Sequence, residues 1–227
     1  MRILALLLAS ALVANSVPTP AFPPELTAEL NGVVERYVSA AETQRKAMLG
    51  TQLQLQIGGR FTQLREQGEM SVLGSISPSG ELDFSNVQFM GDNRVKTQLI
   101  SRYLEQEQHA KYGAMNITPK EYEFKIAAIF KQDQQTTYVF DVTPRNSARD
   151  KIRGKVWVDG DTGMPLREAG EFSKKPDLLL TKPHFSRDYK LHEGVSVITH
   201  FSTSTDVYIP GVGTAELDVN FSNWERL

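Results

Sequence analysis

The sequence predicts an α+β fold: a long, curved antiparallel meander of about eleven strands accompanied by only two helices. Three observations carry that expectation. Period-two runs recur at short spacing along most of the chain, as in Thr51–Ile57 and Thr214–Phe221. Turns rich in Gly, Pro and Asp join them, as in Pro78-Ser79-Gly80 and Asp159-Gly160-Asp161-Thr162-Gly163. Only two stretches show apolar residues at three- and four-residue spacing.

The first of these stretches predicts a helix from about Leu26 to Met48. Leu30, Val33, Val34, Tyr37, Val38 and Ala41 make its apolar stripe, Glu29, Glu35, Arg36 and Glu42 its wet side, and Gly50 ends it. Ahead of it, Arg2 and the apolar run Ile3–Ala14, with small residues Ala14 and Ser16, read as a signal peptide over residues 1–16. Residues 17–25 then form a proline-rich spacer, and residues 26–227 a single domain.

Strands follow the helix. Leu53, Leu55 and Ile57 share one face of Thr51–Ile57, opposite Gln52, Gln54 and Gln56. Gly58-Gly59 is expected to turn the chain into a strand near Arg60–Glu66, with Glu69–Ile76 and Leu82–Met90 next. The second helix is expected from Arg94 to about Tyr112, with Val95, Leu99, Tyr103 and Leu104 inward and a solvated end at Glu105–His109. In Glu121–Phe130, alternation places Tyr122, Phe124, Ile126, Ala128 and Phe130 on one face. Tyr138 and Phe140 point inward from Thr136–Val142, and Val156 and Val158 from Ile152–Val158, with Trp157 facing the other way. Strands Pro165–Phe172, His184–Leu191, Val195–Phe201 and Thr214–Phe221 complete the meander, the last with Ala215, Leu217, Val219 and Phe221 on one face.

Composition narrows the function. With 40% hydrophobic and 23% charged residues the chain has ordinary globular composition. A net charge of −2 excludes a dominant nucleic-acid footprint. Cysteine is absent, so an exported chain relies on its core rather than on disulfides, and thiol chemistry is excluded. The reading is periplasmic, with secretion as the alternative.

Motifs for catalysis are sparse. Asp159-Gly160-Asp161-Thr162-Gly163 fails as a calcium loop, because Met164 and Gly170 occupy the sixth and twelfth positions where Gly and Glu are needed. It reads as a hairpin turn. His109, His184, His192 and His200 show no metal-ligand spacing on a helix. No nucleophile elbow or phosphate-cradling glycine pattern occurs. The carboxylates are accounted for as solvated strand faces. The expectation is therefore a non-enzymatic protein with no cofactor and no metal.

The inward faces leave two readings open. Leu53, Leu55, Ile57, Tyr122, Phe124 and Ile126, with Tyr138, Phe140, Val156, Val158, Leu217 and Val219, either pack into a filled core or line a ligand cavity. Two helices are few to cover so many strands, and that mismatch favours a cavity. Lys174, Lys175, Leu178, Leu179, Leu180 and Lys182, between Pro176 and Pro183, do not read as a strand. They are candidates for contact with a membrane or a lipidated partner, the alternative being a leucine plug against the core, which the burial habit of leucine favours.

Several phrases carry a resemblance. They are Phe89-Met90-Gly91-Asp92-Asn93-Arg94-Val95-Lys96, Ile117-Thr118-Pro119 with Tyr122 and Phe124, Tyr138-Val139-Phe140-Asp141-Val142-Thr143-Pro144-Arg145, Gly154-Lys155-Val156-Trp157-Val158-Asp159 and Pro165-Leu166-Arg167-Glu168-Ala169-Gly170. With the order of elements, they resemble the LolA/LolB lipoprotein carriers and the related domain of RseB. The resemblance implies an incompletely closed half-barrel wrapped on helices, holding lipid or lipoprotein acyl chains as a periplasmic carrier or sensor. An envelope protein-interaction module with a filled core is the alternative, and peripheral membrane contact is compatible with either.

Overall fold

Two strands that are neighbours in the chain lie at opposite edges of one sheet. The computed structural model describes residues 24–110, 112, 117–146, 151–173, 181 and 183–227. Helix α1 spans Pro24–Met48 and is followed by β1 (Thr51–Phe61), β2 (Glu66–Ile76) and β3 (Leu82–Gly91). A second helix covers residues 93–109, α-helical over Asn93–Val95, π-helical over Lys96–Ile100 and α-helical again over Ser101–His109. Then come β4 (Tyr122–Gln132), β5 (Gln135–Pro144), β6 (Ile152–Asp159), β7 (Pro165–Phe172), β8 (His184–His192), β9 (Val195–Asp206) and β10 (Thr214–Arg226). The sheet order is β3-β2-β1-β10-β9-β8-β7-β6-β5-β4, with antiparallel pairing throughout. The last strand pairs with the first in mid-sheet, and among the described residues β3 and β4 are the two free edges. The segment joining them is spent on a helix that packs on β1, β2 and β3, so the sheet stays open.

Among the described residues ten strands form where about eleven were expected, and the difference lies at Gly58-Gly59. These glycines do not turn the chain. β1 runs through them, Gly58 pairing with Glu69 and Gly59 with Gly68, and the turn falls at residues 62–65. A Cβ on Gly59 would lie 3.0–3.2 Å from side-chain carbons of Val95, Leu99 and Ile100. The glycine is there to let the second helix approach the sheet.

A bulge between Ile126 and Ala128 overturns another expected face. Tyr122, Phe124 and Ile126 point inward, but past the bulge Phe130 pairs with Thr137 and is 56% exposed. Val156 and Val158 are fully buried and Trp157 is only partly so, as their parity requires. Within the described residues helix α1 covers Pro24–Met48, which includes the whole expected stretch from Leu26 to Met48.

The Asp159–Gly163 string is a structural turn. The Asp159 carboxylate accepts hydrogen bonds from Thr162 N (2.8 Å) and Thr162 Oγ1 (2.7 Å). Partial burial works against its charge, but these bonds and one from Gln135 hold its pKa below the ordinary value. Arg36 of α1 donates to the Gly160 carbonyl at 2.8 and 3.1 Å, tying the turn to the helix. Gly163, at φ 73°, abuts the Arg36 backbone where no side chain fits.

Candidate functional site: an interior cavity

The two helices cover different parts of the sheet. Helix α1 lies chiefly on β9 and β7, the second helix on β1, β2, β3 and β10. Between them is a cavity of about 410 Å³, within the range of about 300–1,000 Å³ usual for small-molecule pockets. It lies where the sheet itself parts. The β9–β10 ladder runs from Asp206–Thr214 to His200–Asn220, after which β10 continues against β1 and β9 against β8. Ile198 on one side of the parting and Phe221 and Trp224 on the other all line the cavity. Tyr103, stacked on Phe201 at 5.8 Å, and Phe84 and Phe172 extend the apolar wall.

One part of the wall is polar. Glu168 and Arg187 point inward from β7 and β8 and line the cavity. Arg187 Nη1 lies 3.4 Å from Glu168 Oε2, and their side chains are 18% and 8% exposed. The Tyr37 hydroxyl of α1 donates to Glu168 Oε1 at 3.5 Å, and the Tyr189 hydroxyl lies near the same carboxylate. The guanidinium sits over the rings of Phe185 (5.5 Å) and Phe201 (5.6 Å).

The electrostatics follow from burial. Desolvation pushes the Tyr37, Tyr103 and Tyr189 hydroxyls well above their ordinary pKa, reinforced by Glu168 for Tyr37 and Tyr189 and by Glu107 for Tyr103. Burial likewise pushes Tyr112 up to about 12. All four are therefore hydrogen-bond donors at neutral pH. Burial raises the Glu107 carboxyl, with Arg187 opposing. Burial also works against the charge on Arg187, but Tyr189, Glu168, Glu107 and Tyr103 together hold its guanidinium firmly protonated.

Of the residues nominated from sequence, Leu53 and Leu55 line the cavity. Ile57, Leu217 and Val219 are buried core residues of β1 and β10. Tyr122, Phe124, Ile126, Tyr138, Phe140, Val156 and Val158 belong to the core on the β4–β6 side. There Phe124 meets Tyr37 at 6.1 Å and Phe140 at 5.9 Å between ring centroids. Lys174, Lys175, Leu178, Leu179, Leu180 and Lys182 lie outside the described residues, as do residues 1–23.

Sequence reasoning missed the polar part of the wall. Glu168 was taken with the solvated carboxylates, but a register shift between Trp157 and Val158 turns it inward opposite Val156. Glu107 was placed on a solvated helix end, yet it lines the cavity. For Arg187 a signal existed. It stands between Phe185 and Tyr189 at inward parity on β8, a position where an arginine is out of place unless its head has a task. Among the described residues no group of three His, Asp or Glu side chains gathers as a metal site. No helix there is long and apolar enough to cross a membrane.

No family model and no curated protein matches the sequence. Solved structures do. A LolA superfamily protein from Nitrosomonas europaea is 13% identical, with 87% of this chain and 93% of that one covered and a TM-score of 0.44. A candidate outer membrane lipoprotein-sorting protein domain from Vibrio parahaemolyticus is 12% identical, with 87% and 92% covered and a TM-score of 0.46. A chain of the MucA/MucB complex from Pseudomonas aeruginosa is 12% identical, with 84% and 93% covered and a TM-score of 0.28.

Proposed function

We propose that this protein is a non-enzymatic binding protein of the cell envelope, carrier or sensor, that holds an acyl chain or similar apolar group in its interior cavity. The observation behind the reading is the cavity itself: about 410 Å³ between two helices, walled by leucine and aromatic side chains, at a parting of the strands. A largely apolar space of that size offers a bound chain the packing contacts that a filled core would make. Glu168 and Arg187 pair loosely within the wall, and among the described residues no serine, threonine or histidine lines the cavity beside them, which fits binding better than turnover. Export by the N-terminal segment places the protein in the periplasm under this reading.

Native mass spectrometry of protein purified from the producing cells tests it. Co-purified apolar mass, or uptake of a fluorescent acyl probe, is the expected result. A clean apo mass together with no uptake overturns it.

A second reading, an envelope protein-interaction module, is favoured by one observation. Both free edges carry exposed apolar side chains, Met90 on β3 at 70% and Phe130 on β4 at 56%, and an unpaired edge is a template for strand addition. Recovery of one envelope protein on the wild-type chain, lost when Phe130→Lys and Met90→Lys are introduced, supports that reading.

A further inference from the structure

The polar cluster in the cavity wall has more hydrogen-bond donors than it uses. Arg187 carries five N–H groups in a planar fork. Among the described residues its one hydrogen bond is the 3.4 Å contact with Glu168, well beyond the 2.7–2.9 Å of a charge-assisted bond. Glu168 also takes a 3.5 Å bond from Tyr37, so the acceptor is shared while the cation is barely engaged. The ring faces of Phe185 and Phe201 fix the plane of the guanidinium without satisfying its N–H groups. Arg187 lines the cavity and retains 18% of its side-chain surface. The Arg187 donors thus keep contact with the cavity space, where an acceptor can meet them.

The charge of the wall selects the kind of acceptor. The positive charge of Arg187 is answered by Glu168. Arg45, the other cation of the wall, is held by Glu42 through two hydrogen bonds of 2.9 Å. Glu107 adds a further carboxyl group to the wall. An ionised headgroup entering this space loses its hydration, gains attraction to Arg187 and meets repulsion from Glu168, so little remains to offset desolvation. An uncharged carbonyl collects the spare N–H donors without that repulsion.

We propose that Arg187 is the headgroup-recognition residue of the cavity, and that the ligand is an amphiphile with an uncharged ester or amide carbonyl at the head of its acyl chain, taken in preference to a free fatty-acid anion. This rests on the cavity reading above.

The test compares monoolein with oleate, which share one acyl chain, and adds the headless probe diphenylhexatriene. Affinities are measured at pH 8 for the wild-type chain and for Arg187→Lys, which keeps the positive charge beside Glu168 and loses the fork. Wild-type protein is expected to bind monoolein about tenfold more tightly than oleate, and Arg187→Lys to lose that factor while binding diphenylhexatriene unchanged. With ¹³C-labelled ester, the carbonyl stretch of bound monoolein moves to lower frequency in wild type and stays near its apolar-solvent value in the variant.

Equal or tighter binding of oleate by wild type, or no shift of the carbonyl band, overturns the assignment and leaves the cavity reading intact. Both are read on wild-type protein, so they hold even if the variant does not fold. A variant that weakens all three probes alike makes Arg187 structural and also overturns it. Failure of wild type to bind any of the three removes the cavity reading itself.

Discussion

The β4–β6 side of the interior and the space between the two helices are built from the same alternating strands, yet one is filled and the other hollow. On the filled side Tyr37 of α1, Phe124 and Phe140 meet ring to ring at 5.9–6.1 Å. In the hollow, Leu55, Ile198, Phe221 and Trp224 face about 410 Å³. Inward hydrophobic residues alone do not decide between these outcomes. Helix position does, together with the parting of β9 from β10 and the charged pair in the wall. A wall containing a buried carboxylate and a guanidinium resists collapse, because bringing apolar side chains onto it leaves charge without partners.

The contrast is open to direct attack. Phe140→Ala on the filled side removes a ring from close packing and is expected to cost about 4 kcal/mol in urea unfolding. Phe221→Ala merely widens an existing space and should cost less than half of that. Equal losses from the two would mean the hollow is as tightly packed as the rest.

Removing one partner of the wall pair comes next. Arg187→Met should cost about 3 kcal/mol by leaving Glu168 uncompensated, and adding Glu168→Leu should recover most of it. Recovery with loss of acyl-probe uptake would mean that the pair keeps the cavity open at no gain in stability. Recovery with uptake retained would show the cavity persisting without its charges.

Gly59→Ala presses a methyl against Val95, Leu99 and Ile100 and is expected to cost about 1–2 kcal/mol, with a matching fall in melting temperature. If the second helix shifts outward to accept the methyl, probe uptake should rise as the cavity widens. If uptake is unchanged, the helix does not set the cavity's size.

The smallest effect is expected at Glu107. Its folded-state pKa is raised by burial above the ordinary 4.5, with Arg187 opposing. The native state therefore binds its proton more tightly than the unfolded chain does. The resulting penalty is absent below pH 4.5 and develops as pH rises through the raised value. Glu107→Gln should stabilise the protein at pH 8, by less than any of the changes above, and change nothing at pH 4. Unfolding curves at the two pH values decide this.

Much of the strand pattern was legible because side-chain parity is local. Val156, Val158 and Trp157 took the faces their alternation required, and so did Leu53 and Leu55. The errors cluster where local pattern and pairing disagree. Gly58-Gly59 looks like a turn in sequence and serves as a landing place for a helix that begins more than thirty residues later. The bulge after Ile126 moves Phe130 outward, and the register shift beside Val158 moves Glu168 inward. Neither leaves a mark in the residues themselves, since a bulge depends on what the neighbouring strand presents. Arg187 was legible in part, as a lone cation at inward parity between two aromatic residues.

The α+β class, the antiparallel meander, the two helices and the inward faces away from bulges follow from the sequence alone. They rest on periodicity, turn residues and the absence of long helical stretches between strands, all properties of short segments. The open sheet with β10 beside β1, the parting of β9 from β10, and the meeting of Glu168, Arg187, Tyr37 and Tyr189 in one wall were decided by the tertiary structure. Tyr37 and Glu168 are 131 positions apart. Groups so distant in the chain become neighbours only through the packing of α1 on β7 and β9, and no local pattern encodes that packing.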